Sequence, residues 1–524
     1  MESSMNKRSK WMIPIAASTV ALGWGAQAQA ATSCDMAARA ALPKGEILSA
    51  TVVDKGGFTP PAGPNGPGNL TPFKALPAFC RIEARLFPSA DSDIRMEMWV
   101  PLDGWNNRFQ MVGNGAYGAN LQYGDLAIGV SKGYAVAAAN TGHTSDHNND
   151  FWVGHPEKAL DWQTRAVHET VTASKQILTT VFGKAPSYSY WNSCSTGGRQ
   201  GWMSAQYFPD DFDGLAIGDP ANPMTRLQAN SIYISLALTK TPDSFIQPEK
   251  WQMIHDTVLK ACDAKDGLKD GMVENPLACG FDPKKLLCKA GDGADCLTAP
   301  QFEALSAILS GSRNPRTGEQ LYVGYPLGTR MFPGPVAGKT PDTSAPITFR
   351  MLFNDPQWDY HTFNFDTDTA RADALGRGKM NADEPERLAK LFARGGKILT
   401  YHGWDDQAIS PLIAIKLYQD ALAANGGLAK AGDAIRLFMI PAKGHCGNPF
   451  DQMEPLVKWV EQGVAPEQVV VTYKNTTPDG KTTERQHPVC AYPKVARYTG
   501  KGSPDEVSSF TCVATKDEAK PRKG

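Results

Sequence analysis

An excess of charge of either sign is missing from this 524-residue chain: 53 Lys and Arg stand against 54 Asp and Glu, a formal net of −1. Without a basic excess nothing neutralises a phosphate backbone or holds an anionic surface, so nucleic-acid binding and charge-driven membrane binding lack electrostatic support. Internal repeats and low-complexity tracts are missing too. With 42% hydrophobic and 20% charged residues, the composition sets aside disordered, collagen-like and coiled-coil chains. No Cys-x-x-Cys pair occurs, so the ten cysteines lack the usual spacing of a structural zinc site. Beyond about residue 26, no apolar run reaches membrane-spanning length.

What is present begins at the N-terminus. Lys7, Arg8 and Lys10 precede an apolar run over 11–26 and then Ala28-Gln29-Ala30, the pattern of a secretory signal peptide. A membrane anchor is the competing reading, but the run is short and ends in Ala-x-Ala rather than a stop-transfer flank. Residues 1–30 are therefore expected to be a signal peptide, with the mature start near Ala31 and a secreted or periplasmic product without a membrane anchor. Its removal leaves 50 basic and 53 acidic residues, a net of −3. All ten cysteines, Cys34, Cys80, Cys194, Cys262, Cys279, Cys288, Cys296, Cys446, Cys490 and Cys512, follow it. An even number in an exported chain predicts five disulfides. Closeness in sequence favours Cys262 with Cys279, Cys288 with Cys296, and Cys490 with Cys512, while sequence alone fixes no pairing.

Residues 31–101, rich in Pro and Gly around 59–69, read as irregular chain over a scaffold. Short apolar runs at 109–112, 134–139, 188–191 and 215–217 then alternate with helical patterns, the longest over 162–182, where Ala166, Val167, Thr170, Val171 and Ile177 form one face. Such alternation implies an α/β fold with a mainly parallel sheet between helices. The pattern breaks after about residue 220 and resumes near 397, with a strand at 398–401, a helix at 411–424 and a strand at 435–440. The turn-rich stretch between them, with four cysteines, reads as an inserted domain. The expected division is 31–221, the first part of the main domain; 222–394, the insert; and 395–524, its second part. Residues 516–524 read as a frayed tail.

The chemistry-bearing segment is Tyr188-Ser-Tyr-Trp-Asn-Ser-Cys-Ser-Thr-Gly-Gly198. A strand, small residues around a serine and then a helix are the requirements of a nucleophile elbow, whose helix N-terminus favours developing negative charge. Ser195 is the candidate nucleophile. Ser193 occupies the first glycine position of Gly-x-Ser-x-Gly, and a Ser-Thr-Gly-Gly turn by itself can be only a helix cap. A hydrolase of this architecture must next supply an acid and then a histidine after later strands. His402-Gly403-Trp404-Asp405-Asp406 follows the first of these strands, and Lys443-Gly444-His445-Cys446 the second. The aspartate would orient the imidazole, His445 would take the serine proton, and Ser195 would attack a carbonyl. By elbow geometry one oxyanion donor is the N–H of Thr196, and the second lies in the loop Gly113-Asn-Gly-Ala-Tyr-Gly118. That loop also matches Gly-x-Gly-x-x-Gly, but no acidic residue lies suitably downstream in a βαβ unit.

Cys194-Ser195, Asp406 and His445-Cys446 together resemble the signature of the tannase and feruloyl esterase family, which also includes mono(2-hydroxyethyl) terephthalate hydrolase. The likeness extends over nearly the whole mature chain. It implies an α/β-hydrolase fold with a large inserted lid domain, a Cys194–Cys446 disulfide tying nucleophile to base, and a serine carboxylic ester hydrolase. His-Gly-x-x-Asp places the acid at Asp406, leaving Asp405 as a solvated neighbour or turn residue. The second oxyanion donor implied is Ala116, or Gly115 one residue earlier.

Asp263, Asp266 and Asp270, with intervening glycines, are a set of hard oxygen donors suited to calcium, although their spacing is not that of an EF-hand. The bland alternative is an acidic surface turn. The resemblance implies a structural Ca²⁺ held by these carboxylates and the carbonyls of Leu268 and Met272. His143 and His147, with Asp146, Asp150 and His155, read as polar loop packing. His168 reads as a helix-face residue, and His402 as the donor of a loop-shaping hydrogen bond.

The partner expected is a small aromatic ester, of a hydroxycinnamic or gallic acid, cleaved through an acyl-enzyme. Phe349, Phe353, Trp358, Tyr360 and Phe363 are candidates to stack on its ring. A terephthalate monoester would need a cation for its free carboxylate, for which 338–350 offers Lys339 and Arg350. A peptidase, or a non-catalytic calcium-binding protein recognising polyphenol or glycan, stands as the alternative.

Overall fold

The computed structural model describes residues 33–61, 69–144, 150–476 and 482–514. The signal-peptide segment, the 516–524 tail, Asp146 and His147 lie outside the described residues.

Nine strands form one mixed sheet: β1 (Gly45–Val53), β2 (Phe79–Leu86), β3 (Ile94–Pro101), β4 (Arg108–Met111), β5 (Ala135–Ala139), β6 (Tyr188–Cys194), β7 (Gly214–Gly218), β8 (Lys397–Gly403) and β9 (Ile435–Ile440). Their spatial order is β1-β2-β3-β5-β4-β6-β7-β8-β9. β1, β2, β3 and β5 pair antiparallel in turn, and β5 through β9 pair parallel. Parallel strands need crossovers, and the helices that make them cover both faces. The period of two is visible in the core. Leu215 and Ile217 of β7 and Ile435 and Leu437 of β9 join the cluster beneath helices Ala166–Phe182, Thr196–Tyr207 and Leu412–Ala424. Ala216, Phe438 and Ile440 face the opposite cluster, with Leu456 of helix Met453–Gln462.

The stretch 31–101 corrects the reading of irregular chain, since it supplies three strands. Their signal is the alternation of β2, where Cys80, Ile82, Ala84 and Leu86 are buried while Arg81, Glu83 and Arg85 are half-exposed. Arg81 lies against the buried Glu97 of β3, with Nε 2.9 Å from Oε2, so paired charge on one face masks the apolar pattern of the other.

Between β7 and β8 the chain contributes no strand to the sheet among the described residues. It forms helices including Met224–Leu238, Pro248–Cys262, Ala299–Ser310 and Ser344–Phe353, with a buried cluster of its own around Ile234, Trp251, Leu305 and Tyr325. Phe349, Phe353 and Phe363 are buried against one another and Trp358. They form a core within this segment, which corrects their candidacy as ring-stacking residues. After β9, two hairpins follow: β10 (Gln468–Thr476) with β11 (Thr482–Cys490), and β12 (Lys494–Tyr498) with β13 (Phe510–Ala514).

All ten cysteines are paired: Cys34–Cys80, Cys194–Cys446, Cys262–Cys279, Cys288–Cys296 and Cys490–Cys512. No helix among the described residues is long and apolar enough to cross a membrane.

Candidate active site

β6 ends at Cys194 and helix Thr196–Tyr207 begins two residues later, so Ser195 must reverse the chain in one step. It does so at φ 66°, ψ −123°, a strained conformation for a residue with a side chain. Its N–H donates to Gly218 O and its carbonyl accepts from Ala221 N–H, which fixes the turn to β7. Gly197 is required here because a Cβ would collide with Ser193 Oγ. The same contact explains how Ser193 is tolerated at a position usually held by glycine: the missing Cβ of Gly197 leaves room for its hydroxyl.

The acid and the base arrive from β8 and β9. Ser195 Oγ–H donates to His445 Nε2 at 2.9 Å, and His445 Nδ1–H donates to Asp406 Oδ2 at 2.8 Å. Asp406 is fully buried, and its Oδ1 accepts the N–H groups of Ala408 and Ile409 at 2.8 and 2.9 Å. Against the cost of burial, His445 and His402 hold the Asp406 carboxyl far below the usual carboxylate range. Burial opposes a charged His445, yet Asp406, with smaller contributions from Asp219 and Asp342, raises it to about 9. Sequence separations of 39 and 250 residues thus close into one hydrogen-bonded chain.

The histidine loop is braced from several sides. Asp405 N–H donates to Lys443 O, so the acid and histidine loops are paired directly. Gly403 permits this approach, because a Cβ there would run into the Lys443 carbonyl. Tyr473 of β10 donates its hydroxyl to Pro441 O at 2.6 Å. The Cys194–Cys446 disulfide joins the residue before the nucleophile to the residue after the base.

Thr196 is buried at the first turn of the elbow helix, and Ala116 stands exposed at φ 44° in its loop. The loop abuts the elbow: Gln200 Oε1 accepts Asn114 N–H at 3.1 Å, and a Cβ on Gly113 would lie 2.9 Å from Gly197 Cα. Tyr117 stacks on Trp162 at 4.0 Å and shares a 2.7 Å hydrogen bond with Thr348 of the inserted segment. Gln200, Trp162 and the buried Arg199 over the Trp162 ring are positioning residues that the sequence reading missed. The π-helical turn Asp161–Arg165, which carries Trp162, has no local signature.

Asp405 is not a solvated neighbour: burial pushes its carboxyl up, while His255 and Arg330 of the inserted segment oppose this. His402 is fully buried and donates to Asp406 Oδ2 at 2.9 Å, so it acts on the acid as well as on the loop. His168 stacks on Phe208 and bonds Asp211, as a helix-face residue does.

Asp263, Asp266 and Asp270 share one loop but do not close as a set on a common centre. Asp263 Oδ1 accepts from the N–H groups of Asp270 and Gly271, and Asp270 Oδ2 accepts from Arg485 Nη2 at 2.6 Å. Leu268 and Met272 donate their N–H groups to Asp266 and Asp270 respectively. Burial and the like charges of Asp270, Glu274 and Asp263 push Asp266 up to about 6.

The family model "Tannase and feruloyl esterase" matches residues 80–513. An uncharacterized esterase of Xanthomonas campestris pv. campestris is 34% identical, over 93% of this chain and 92% of its own. A probable feruloyl esterase B-1 of Aspergillus oryzae is 31% identical over 85% and 86%. The crystal structure of feruloyl esterase B from Aspergillus oryzae superposes with a TM-score of 0.84 at 29% identity, covering 93% of this chain and all of that one. Tannin acyl hydrolase from Aspergillus niger shares the fold, at a TM-score of 0.74 and 22% identity. A serine held on a strained elbow within reach of a carboxylate-backed histidine is the arrangement expected of such relatives, and the chain belongs to the tannase and feruloyl esterase family as a carboxylic ester hydrolase of α/β-hydrolase fold.

Proposed function

We propose that the protein is an exported serine esterase that cleaves esters of hydroxycinnamic or gallic acids through an acyl-enzyme. The observation that carries the reading is the Ser195–His445–Asp406 hydrogen-bonded chain. His445 withdraws the serine proton as Oγ attacks the ester carbonyl, and the tetrahedral oxyanion is met by the N–H groups of Thr196 and Ala116. Neither N–H has a backbone acceptor among the described residues, which supports the assignment. His445 then returns the proton to the leaving alkoxide, and water repeats the sequence to release the acid.

The choice of acyl group is supported by what the insert does with its cations. Lys339 lies over the Phe245 ring and Arg350 Nε donates to Trp358 O, so each already has a partner within the insert, which favours an acyl group without a free carboxylate. The insert, joined to the oxyanion loop through Thr348 and Tyr117, would act as the lid over the acyl pocket.

For the Asp263–Met272 loop the proposal is a structural Ca²⁺, which would draw Asp263, Asp266 and Asp270, now turned to separate partners, onto one centre with the carbonyls of Leu268 and Met272. Its donors are hard oxygens, and the mutual repulsion registered at Asp266 is what a divalent cation relieves. Five disulfides and the N-terminal pattern support export to the periplasm or medium.

The test is release of acid from methyl ferulate and methyl gallate by the protein and its Ser195→Ala variant. Turnover should fall by at least about 10³-fold with folding unchanged; a variant as active as the parent would overturn the reading.

A further inference from the structure

Behind the triad lies a second buried carboxylate that an ordinary Ser-His-Asp arrangement does not need. Asp219 follows β7 directly, in Gly218-Asp219-Pro220, at φ 36°, and it is 1% exposed. Its backbone N–H donates to Tyr401 O of β8 at 3.0 Å. Its two oxygens are divided between the two catalytic loops. Oδ1 accepts Gly403 N–H of the acid loop at 3.0 Å, and Oδ2 accepts Cys446 N–H, next to His445, at 2.9 Å. Cys446 is itself held at φ 59°. Oδ2 also lies 3.1 Å from Cys194 Sγ, in the disulfide beside Ser195. His402 Nε2 stands 3.6 Å from Asp219 Oδ1 and donates to Asp406 Oδ2, with Ile409 O 3.2 Å away.

We propose that Asp219 and His402 are positioning residues for the triad: Asp219 clamps the acid and histidine loops through the N–H groups of Gly403 and Cys446, and His402 links it to Asp406.

The link is electrostatic as well as geometric. Two carboxylates in a site closed to water repel, and a histidine between them lowers that cost. Burial pushes the Asp219 carboxyl up; His402 is raised, against its burial, by Asp219 and then by Asp406. The other ionisable groups facing the cluster are Tyr401 beside Asp219, Tyr322 and Tyr325 beside Asp406, and Asp342 beside His445. All three tyrosines are raised by burial, so none adds charge at neutral pH. Asp219 therefore raises the basicity of His445, and His402 restrains it.

Two variants separate this role from mere packing, because they should move His445 in opposite directions. Asp219→Asn should lower the acid limb of the kcat/KM profile by about one pH unit, and His402→Gln should raise it by a similar amount. The inference rests on His445 being the catalytic base, an assignment that Ser195→Ala turnover tests separately. NMR titration of the His445 ring in the Ser195→Ala background reads the same shifts without substrate. Should Asp219→Asn not fold, the sign from His402→Gln alone decides. Opposite displacements support the proposal; lost activity with an unmoved limb, or displacements of the same sign, would overturn it.

Discussion

A serine hydroxyl is a poor nucleophile until a base accepts its proton, and in the proposed mechanism that base, His445, is set by one fully buried carboxylate. Asp406 receives four donors, two backbone N–H groups and two imidazoles, and so stays ionised far below neutrality. Its charge raises His445 to about 9. Only neutral His445 can accept the serine proton, so kcat/KM should climb with pH along a limb above the ordinary histidine value of about 6.5. A profile on methyl ferulate from pH 5 to 10 checks this, and a limb at or below the ordinary value would contradict it. At this scale the sequence was informative for Ser195, an aspartate and His445, because each follows an apolar strand in the required chain order, and the family resemblance chose Asp406 over Asp405. It was silent on Asp219, since Gly-Asp-Pro after a strand looks like any turn. Nothing local reveals that both of its oxygens meet loops some 184 and 227 residues away.

Elements hold these residues in place. Arg108 on β4 makes two 2.7 Å bonds to Glu461 on helix Met453–Gln462, and Tyr190 of β6 donates to the same carboxylate at 2.7 Å. This anchor ties the helix to β6, which leads into the elbow, and to its neighbour β4. Glu461→Ala should cost about 2 kcal/mol, read by chemical denaturation, because a half-buried guanidinium and a phenol lose their partner. The Cys194–Cys446 bond closes a separation of 252 residues at the site itself. A Cys194→Ser, Cys446→Ser double variant should lose turnover at temperatures where its circular dichroism still matches the parent, and its melting temperature should also fall. Unchanged kcat in the folded variant would show that the bond serves only stability. Strands β4 to β9 were readable from apolar runs, whereas β1 to β3 were hidden by the charged residues that alternate along them and by the Pro and Gly near them. The helix that became π-helical at Asp161–Arg165 carried an α pattern, and tertiary packing against Arg199 and Tyr117 accompanies the departure.

Across the whole molecule, the acidic loop ends against the hairpins that follow β9. Asp270 meets Arg485, Glu274 meets His487 at 3.0 Å, and Tyr473 of the same hairpin reaches Pro441 at the start of the histidine loop. A cation bound only by the folded state adds stability by mass action, about 2.7 kcal/mol at one hundred times its Kd. Chelator should therefore lower the melting temperature, and added Ca²⁺ should restore it. No change in either direction would remove the proposed ion.

By itself the sequence determined which residue types follow which strands: the elbow serine, then an aspartate and a histidine in order, together with an even number of cysteines and an acidic loop between the two strand-rich stretches. Periodicity and chain order are local properties, and a strand keeps them whatever it packs against. Only the tertiary structure decided that Asp406 is fully buried behind His445, that Gln200, Trp162 and Thr348 brace the Gly113–Gly118 loop, and that Asp219 lies behind Asp406 and His445. Those facts depend on burial and on contacts between distant segments, and a carboxylate's chemistry is set by the groups that surround it after folding.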